Sequence, residues 1–118
     1  MEAFFKSVLE QDTAPVVLCD LQHTILYMNP AACKRYRDLT GKSLMACHNP
    51  ASRQQIETVL AWFEKKMENN RVHTFFNEKE NKDVYMVALR DQSGALIGYY
   101  EKHEFRSRDM APLYQFED

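Results

Sequence analysis

The chain has 118 residues, of which 45% are apolar and 27% charged, with a formal net charge of −2. This length suffices for one compact domain but not for two independent cores. A slightly acidic chain is a poor partner for nucleic-acid phosphates. Three cysteines without paired spacing favour a reducing compartment over a disulfide framework. No apolar stretch approaches the ~20 residues of a membrane span, and the N-terminus lacks the order of a signal peptide. We therefore expect a cytoplasmic, single-domain protein.

The first part of the chain predicts a short helix and then a β-hairpin. Residues 2–11 are amphipathic, with Phe5, Val8 and Leu9 on one face. A β-rich apolar run follows at residues 14–21, and a tight turn at residues 20–23 leads into a second strand at residues 24–28. The opening order is therefore helix, strand, strand.

Two Asn-Pro pairs each predict the start of a helix. Asn at an N-cap accepts hydrogen bonds from the first free N–H groups, and Pro suits the first helical position. Asn29-Pro30 precedes a brief helix at residues 30–36, and Asn49-Pro50 precedes a longer one that extends to about residue 69. The longer helix has an apolar stripe of Ile56, Val59, Leu60, Phe63 and Met67. Cys47 and His48 directly precede this second start, so we expect any functional site to lie there.

The last part predicts three antiparallel strands joined by two hairpin turns. The strands cover residues 71–77, 83–90 and 95–105, and the turns cover residues 78–81 and 91–94. The middle strand is apolar at both alternating sets of positions, which is typical of a strand covered on both faces.

The order of elements and three short segments resemble the PAS sensory domain. The segments are residues 27–32, 39–44 and 89–98. Within that family the chain looks most similar to a bacterial and archaeal subgroup, often fused to hemerythrin-like domains, that carries a Cys-His-Pro signature. Here the signature reads Gly41-Lys42-Ser43, then Cys47-His48, then Pro50 and Ser52. The resemblance divides the chain into an N-terminal helix (1–12), a PAS domain (13–106) and a C-terminal tail (107–118).

The resemblance implies an α+β fold with a five-stranded antiparallel sheet in the order 2-1-5-4-3. The helices would pack on one face around a small cavity, and the N-terminal helix and a second subunit would cover the other face. On this basis we expect a homodimer. The implied function is a stand-alone sensory module that binds a small molecule or haem and signals through its dimer or an unidentified partner protein. The alternative is a ligand-free dimerisation or protein-interaction module. No nucleic acid or membrane is an expected partner.

Cys47 and His48 support two interpretations. A neutral imidazole can ligate haem iron or hydrogen-bond a polar ligand, with Cys47 as a neighbouring thiolate. Alternatively, His48 braces the helix entrance and Cys47 fills core space. A third hypothesis, redox sensing, requires the helix N-terminus to lower the pKa of Cys47.

The resemblance also predicts which strand residues face the cavity. Met86 and Ala88 of the fourth strand and Leu96 and Tyr100 of the fifth would face the helices, and the hydroxyl of Tyr100 would reach a ligand. Alternatively, these side chains only fill the core, although a buried phenol needs a partner.

The remaining histidines do not suggest a further site, and the sequence contains no recognised metal-binding or catalytic motif. His23 falls in a turn, and His73 and His103 fall in strands as expected surface or edge residues. The chain has no His-x-x-x-His or Cys-x-x-Cys pair for zinc. It also has no Gly-rich phosphate loop or nucleophile elbow. We therefore expect no enzymatic activity and no dedicated metal site.

Overall fold

The computed structural model describes residues 1–116. The final two residues of the predicted C-terminal tail, 117 and 118, lie outside this description. In chain order the elements are α1 (Glu2–Gln11), β1 (Val17–Asp20), β2 (Ile25–Met28), α2 (Pro30–Tyr36), a 3₁₀ helix (Leu44–Cys47), α3 (Pro50–Lys65), β3 (Arg71–Asn77), β4 (Lys82–Arg90) and β5 (Leu96–Phe105).

The five strands form one antiparallel sheet in the order β2-β1-β5-β4-β3, as predicted. The inner face packs against α2, the 3₁₀ helix and α3. The core combines Ala32 of α2 and most of the predicted stripe of α3 with residues from four strands, whereas Met67, the last predicted member of that stripe, is exposed beyond the end of α3. Its buried members are Cys19, Ile25, Met28, Ala32, Ile56, Leu60, Phe63, Met86, Leu96 and Tyr99.

Both predicted Asn-Pro helix starts are confirmed. The side-chain oxygen of Asn29 accepts a hydrogen bond from the Ala32 N–H at 2.9 Å. That of Asn49 accepts one from the Ser52 N–H at 2.8 Å. Each Pro occupies the first turn, where its missing N–H leaves no donor unsatisfied.

Helix α3 ends at Lys65, earlier than the predicted residue 69. Lys66 is already extended, with φ −149° and ψ 145°. The guanidinium of Arg90 donates to the carbonyls of Phe63 at 2.7 Å and Lys66 at 3.2 Å. These carbonyls belong to the terminal groups that a helix leaves unpaired. A strand residue distant in sequence therefore satisfies the end of the helix, and periodicity alone does not reveal it.

A bulge shifts the register between β4 and β5. Leu89 pairs with Gly98, and Arg90 pairs with Leu96, so Ile97 is the extra residue. A Cβ at Gly98 would lie 2.3 Å from the carbonyl oxygen of Cys19. Glycine therefore permits the close approach of β1 and β5 beside the bulge.

The outer face of the sheet is not covered by α1 within one chain. No residue of α1 is buried, and its apolar residues Phe4, Phe5 and Val8 are exposed. The side-chain amide of Asn29 donates to the Leu9 carbonyl at 2.9 Å and holds the end of α1 beside the start of α2. The predicted cover of the outer face is therefore not formed by a single chain, and the homodimer stays a prediction.

Among residues 1–116, none of the helices combines the length and apolar character that crossing a membrane requires.

Candidate functional site

A cavity of about 670 Å³ lies between the inner face of the sheet and the helices. This volume is in the range of small-molecule sites. Its apolar lining includes Val17, Ile25, Met28, Leu39, Leu44, Ile56, Val59, Val84 and Met86. Its polar lining includes Arg35, Cys47, His48, Lys82, Tyr99, Glu101 and His103. A mainly apolar space with a few polar groups is typical of a site for a small organic ligand.

His48 lies on this cavity with a defined tautomer. Its Nδ1 is 2.9 Å from the Leu44 carbonyl oxygen. A carbonyl can only accept, so Nδ1 carries the hydrogen and the Nε2 of a neutral ring keeps its lone pair. Arg53 Nε donates to the carbonyls of Met45 and His48, both at 2.9 Å, and so fixes this segment against α3. His48 therefore braces the helix entrance while it presents an acceptor nitrogen.

Cys47 is the last residue of the 3₁₀ helix and is exposed. The interpretation in which Cys47 fills core space is therefore wrong. The N-cap of α3 is Asn49, two residues later, so Cys47 lies outside the first turn of that helix. Cys47 and His48 both line the cavity as expected, and their chemical roles stay predictions.

Met86 lines the cavity, but Tyr100 does not. The Cα partners of Tyr100 are Leu18 and Val87, which lie on the outer face. The expected position of Tyr100 is therefore wrong. Alternation counted from Leu96 places residue 100 inward, but the bulge at Ile97 reverses the alternation.

Tyr99 takes the inward position and is almost fully buried. Its hydroxyl lies 2.7 Å from His23 Nδ1, and His23 Nε2 lies 2.6 Å from a Glu57 carboxylate oxygen. The carboxylate accepts from Nε2, so the Nδ1 of a neutral ring accepts from the tyrosine. Burial raises the pKa of Tyr99, and burial also raises the pKa of the neighbouring Cys19 thiol to about 11. The buried phenol thus has an internal partner and stays protonated.

Two buried polar residues on the sheet were not predicted to lie at the site. Lys82 is 1% exposed, and its Nζ makes no hydrogen bond within residues 1–116. His103 is 8% exposed; its Nε2 is 3.1 Å from Glu101, and its Nδ1 has no hydrogen-bond partner in the described part of the chain. The prediction that His103 is a surface or edge residue is therefore wrong. Lys82 and His103 both line the cavity.

The ion pair between Arg35 and Glu80 lies beside Lys82. Arg35 of α2 donates two hydrogen bonds to the carboxylate of Glu80, at 2.8 and 2.9 Å. The pKa of Glu80 is lowered to about 2, chiefly by this guanidinium. Lys82 Nζ lies 3.3 Å from the same carboxylate, within ion-pair range but outside hydrogen-bonding geometry.

Among the side chains that line the cavity, His48 is the one whose chemistry suits a haem iron ligand. His48 could supply an axial nitrogen, because its Nδ1–H already donates to a backbone carbonyl in the way that metal-bound histidines do. Cys19 is a poor ligand because burial keeps its thiol protonated. Within residues 1–116, no three His, Cys, Asp or Glu side chains are arranged to hold a metal ion.

Comparison with known proteins identifies the fold. No protein-family model matches the chain, and no curated protein matches it. The solved PAS domain of a protein from Colwellia psychrerythraea is 13% identical, with a TM-score of 0.66 over 89% of this chain and 96% of that one. The chain has the PAS fold.

Two further solved structures are similar to this PAS fold. The C-terminal domain of a Streptococcus mutans protein is 21% identical, with a TM-score of 0.63 over 86% of this chain and 81% of that one. A sensory box sensor histidine kinase from Vibrio cholerae is 10% identical, with a TM-score of 0.59 over 90% of this chain and 89% of that one. The Cys-His-Pro subgroup within the PAS family stays a prediction.

Proposed function

We propose that the protein is a cytoplasmic PAS sensory module that binds a small molecule in its cavity. The observation that carries this proposal is a pair of buried polar atoms on the cavity wall, Lys82 Nζ and His103 Nδ1, that make no hydrogen bond within residues 1–116. Native cores seldom bury a polar atom without a partner. A ligand that supplies a hydrogen-bond partner to Lys82 Nζ and another to His103 Nδ1 would explain why these two atoms are buried on a cavity wall.

The similarity to a sensor histidine kinase from Vibrio cholerae supports a signalling role. The sheet offers a direct route for the signal. His103 faces the cavity, while Tyr100 of the same strand pairs with Val87 on the outer face. A ligand that reorders the inner face would therefore alter a surface available to a second copy or a partner protein. The signal is a shift in the population of outer-face conformations.

We propose homodimerisation as the first route for this signal. The exposed Phe5 and Val8 of α1 and Ile97 of β5 form apolar surface that one chain leaves in water. Burying such surface between two copies would stabilise a dimer.

Haem bound through His48 is the second candidate. The tautomer of His48 favours it, since Nε2 holds the lone pair that an iron ligand needs. Bound haem would supply a redox- or gas-sensitive iron, His48 would hold it, and Arg53 would fix the segment that carries His48.

A ligand-free docking module is the remaining alternative, and the exposed apolar residues of α1 are compatible with it. The two buried atoms that make no hydrogen bond within residues 1–116 argue against it, because a cavity filled only by its own side chains would leave their hydrogen bonds unmade. We propose no catalytic role.

The deciding experiment is native mass spectrometry of the purified protein, with an absorption spectrum of the same sample. We expect a bound mass that is released on denaturation, without a haem band. A haem band that His48→Ala shifts and His73→Ala leaves unchanged would establish the second candidate instead. His73 is a suitable control because its side chain is 51% exposed and it is absent from the cavity wall. No bound mass and no binding of added small molecules would favour the docking module.

A further inference from the structure

We infer that the ligand is a small organic acid that carries a hydroxyl or amino group beside its carboxylate and has an apolar body. This inference rests on the proposed function and names the chemical class of its ligand. The carboxylate would pair with Lys82, and the neighbouring O–H or N–H would donate to His103 Nδ1.

The position of Lys82 is the first reason for an acidic ligand. A buried ammonium loses its hydration, and this cost is offset only by an anion and by acceptors for its three hydrogens. The Lys82 side chain is 2% exposed, and Nζ makes no hydrogen bond within the described residues. Besides the Glu80 carboxylate, Nζ has the aromatic ring of Phe105 as a neighbour, and the ring centroid is 5.2 Å from Nζ. A cation–π contact of this length does not satisfy the N–H groups.

The nearest carboxylate is already occupied. One Glu80 oxygen accepts from Arg35 at 2.8 Å, and the other accepts from Arg35 at 2.9 Å and from the Asn77 amide at 2.8 Å. The Glu80 oxygen nearest Lys82, Oε2, is thus fully engaged by the guanidinium and the amide. Two cations, Arg35 and Lys82, share this single carboxylate, and Glu101, the carboxylate on the cavity wall, lies beside His103.

His103 supplies the complementary group. Its Nε2 lies 3.1 Å from a Glu101 carboxylate oxygen, an ion-pair contact outside hydrogen-bonding geometry, and the negative charge of this carboxylate favours the tautomer with the hydrogen on Nε2. In the neutral ring, Nδ1 is then an acceptor, and it is buried without a partner. A ligand group that donates a hydrogen fits this position, whereas a second carboxylate does not.

The strand register places the two groups within reach of one small ligand. Lys82 pairs with Phe105, and His103 pairs with Val84, two residues along β4. Lys82 and His103 are therefore diagonal neighbours on the inner face, with Cβ atoms somewhat less than about 7–8 Å apart. A carboxylate and the substituent on its α-carbon can contact both residues. Much of the remaining cavity wall, including Met86 and Ile56, is apolar and suits a branched hydrocarbon.

Four probes with the same hydrocarbon body test the inference by isothermal titration calorimetry. They are isocaproate, its α-hydroxy derivative leucate, its α-amino derivative leucine, and the uncharged isocaproamide. We expect leucate or leucine to bind at least about tenfold more tightly than isocaproate, because their extra donor satisfies a buried acceptor. We expect isocaproamide to show no measurable binding. Equal binding of isocaproate and isocaproamide, or no binding by any acid, would overturn the inference.

Matched variants assign the contacts. Lys82→Met should abolish binding of all three acids, whereas Lys79→Met, which removes the same charge from an exposed position in the turn that precedes β4, should leave binding unchanged. His103→Leu should remove the preference for leucate or leucine over isocaproate. Thermal unfolding checks that each variant folds. If Lys82→Met fails to fold, the comparison of isocaproate with isocaproamide on the unaltered protein decides the matter. Unchanged binding by a folded Lys82→Met would contradict the inference.

Failure of the inference is distinguishable from failure of the proposed function. If native mass spectrometry releases a small molecule without a carboxylate, the sensory function stands and the ligand class is wrong. If no mass is released and none of the probes binds, both are wrong.

Discussion

The two Asn-Pro helix starts have nearly the same backbone but very different surroundings. Asn29 has φ −76° and ψ 169°, and Asn49 has φ −74° and ψ 167°. In both, the side-chain oxygen caps the N–H three residues later. The local device is the same because Asn and Pro impose it on the backbone wherever a helix follows.

Burial separates the two starts. Asn29 is completely buried, and beyond its cap it accepts from the Val16 N–H and donates to the carbonyls of Leu9 and Ala14. It thus joins α1, the approach to β1, and α2 through one amide. Asn49 is exposed within the partly polar segment beside the cavity. The local sequence therefore specifies that Asn caps the helix. The surrounding fold determines how much of the free energy of unfolding is lost when that Asn is replaced.

The largest expected effect is that of Asn29→Ala. The change leaves two N–H groups and two carbonyls without their partner, at about 1 kcal/mol each, so the free energy of unfolding should fall by about 4 kcal/mol. Urea unfolding followed by circular dichroism measures this. Asn29→Asp is the control, since it keeps the accepting oxygen but loses the donated bonds and buries a charge. If Asn29→Ala lowers the free energy of unfolding no more than Asn49→Ala does, the proposed difference between the two helix starts is wrong.

The second expected effect is that of Asn49→Ala, with a loss of about 1 kcal/mol, the usual value for an N-cap. The same urea titration applies. Asn49→Asp should be close to neutral because aspartate also caps helices and its charge suits the positive end of the dipole. A loss of several kcal/mol would mean that Asn49 has structural partners comparable to those of Asn29.

The smallest expected effect concerns the other end of α2, where Arg35 binds Glu80. The folded-state pKa of Glu80 is about 2, below its ordinary value of 4.5. Between these values the unfolded chain binds more protons, so stability rises with pH there and is lost as pH falls from about 4.5 to about 2. Glu80→Gln should flatten this part of the stability curve, measured by urea unfolding at several acidic pH values.

Glu78→Gln is the matched control for this pH dependence, because Glu78 is an exposed neighbour in the same turn. It should leave the slope nearly unchanged. An identical slope in Glu80→Gln and the unaltered protein would contradict the assignment to the Arg35–Glu80 pair.

The order of elements was predictable because its signals are local. The Asn-Pro pairs, the stripe on Ile56, Leu60 and Phe63, and the turns beginning at residues 78 and 91 each act within a few residues. The end of α3 was not predictable from such signals. It depends on Arg90, which is distant in sequence and donates to the Phe63 carbonyl.

The candidate site was predictable only in part. The sequence placed Met86, Cys47 and His48 beside a cavity, and all three line it. The predicted fourth strand began at residue 83, one short of Lys82. Extending it would have placed a lysine at the same alternate positions as Val84 and Met86, which is the signal for a buried cation.

The sequence by itself determined the helix starts, the strands and turns, and, through resemblance, the order of the sheet. Only the tertiary structure decided which of Tyr99 and Tyr100 faces the cavity, because the bulge at Ile97 reverses the alternation. It also decided that Lys82 and His103 are buried without hydrogen-bond partners in the described chain. Side-chain direction in a strand follows cross-strand register, and register depends on pairing between segments that are remote in the sequence.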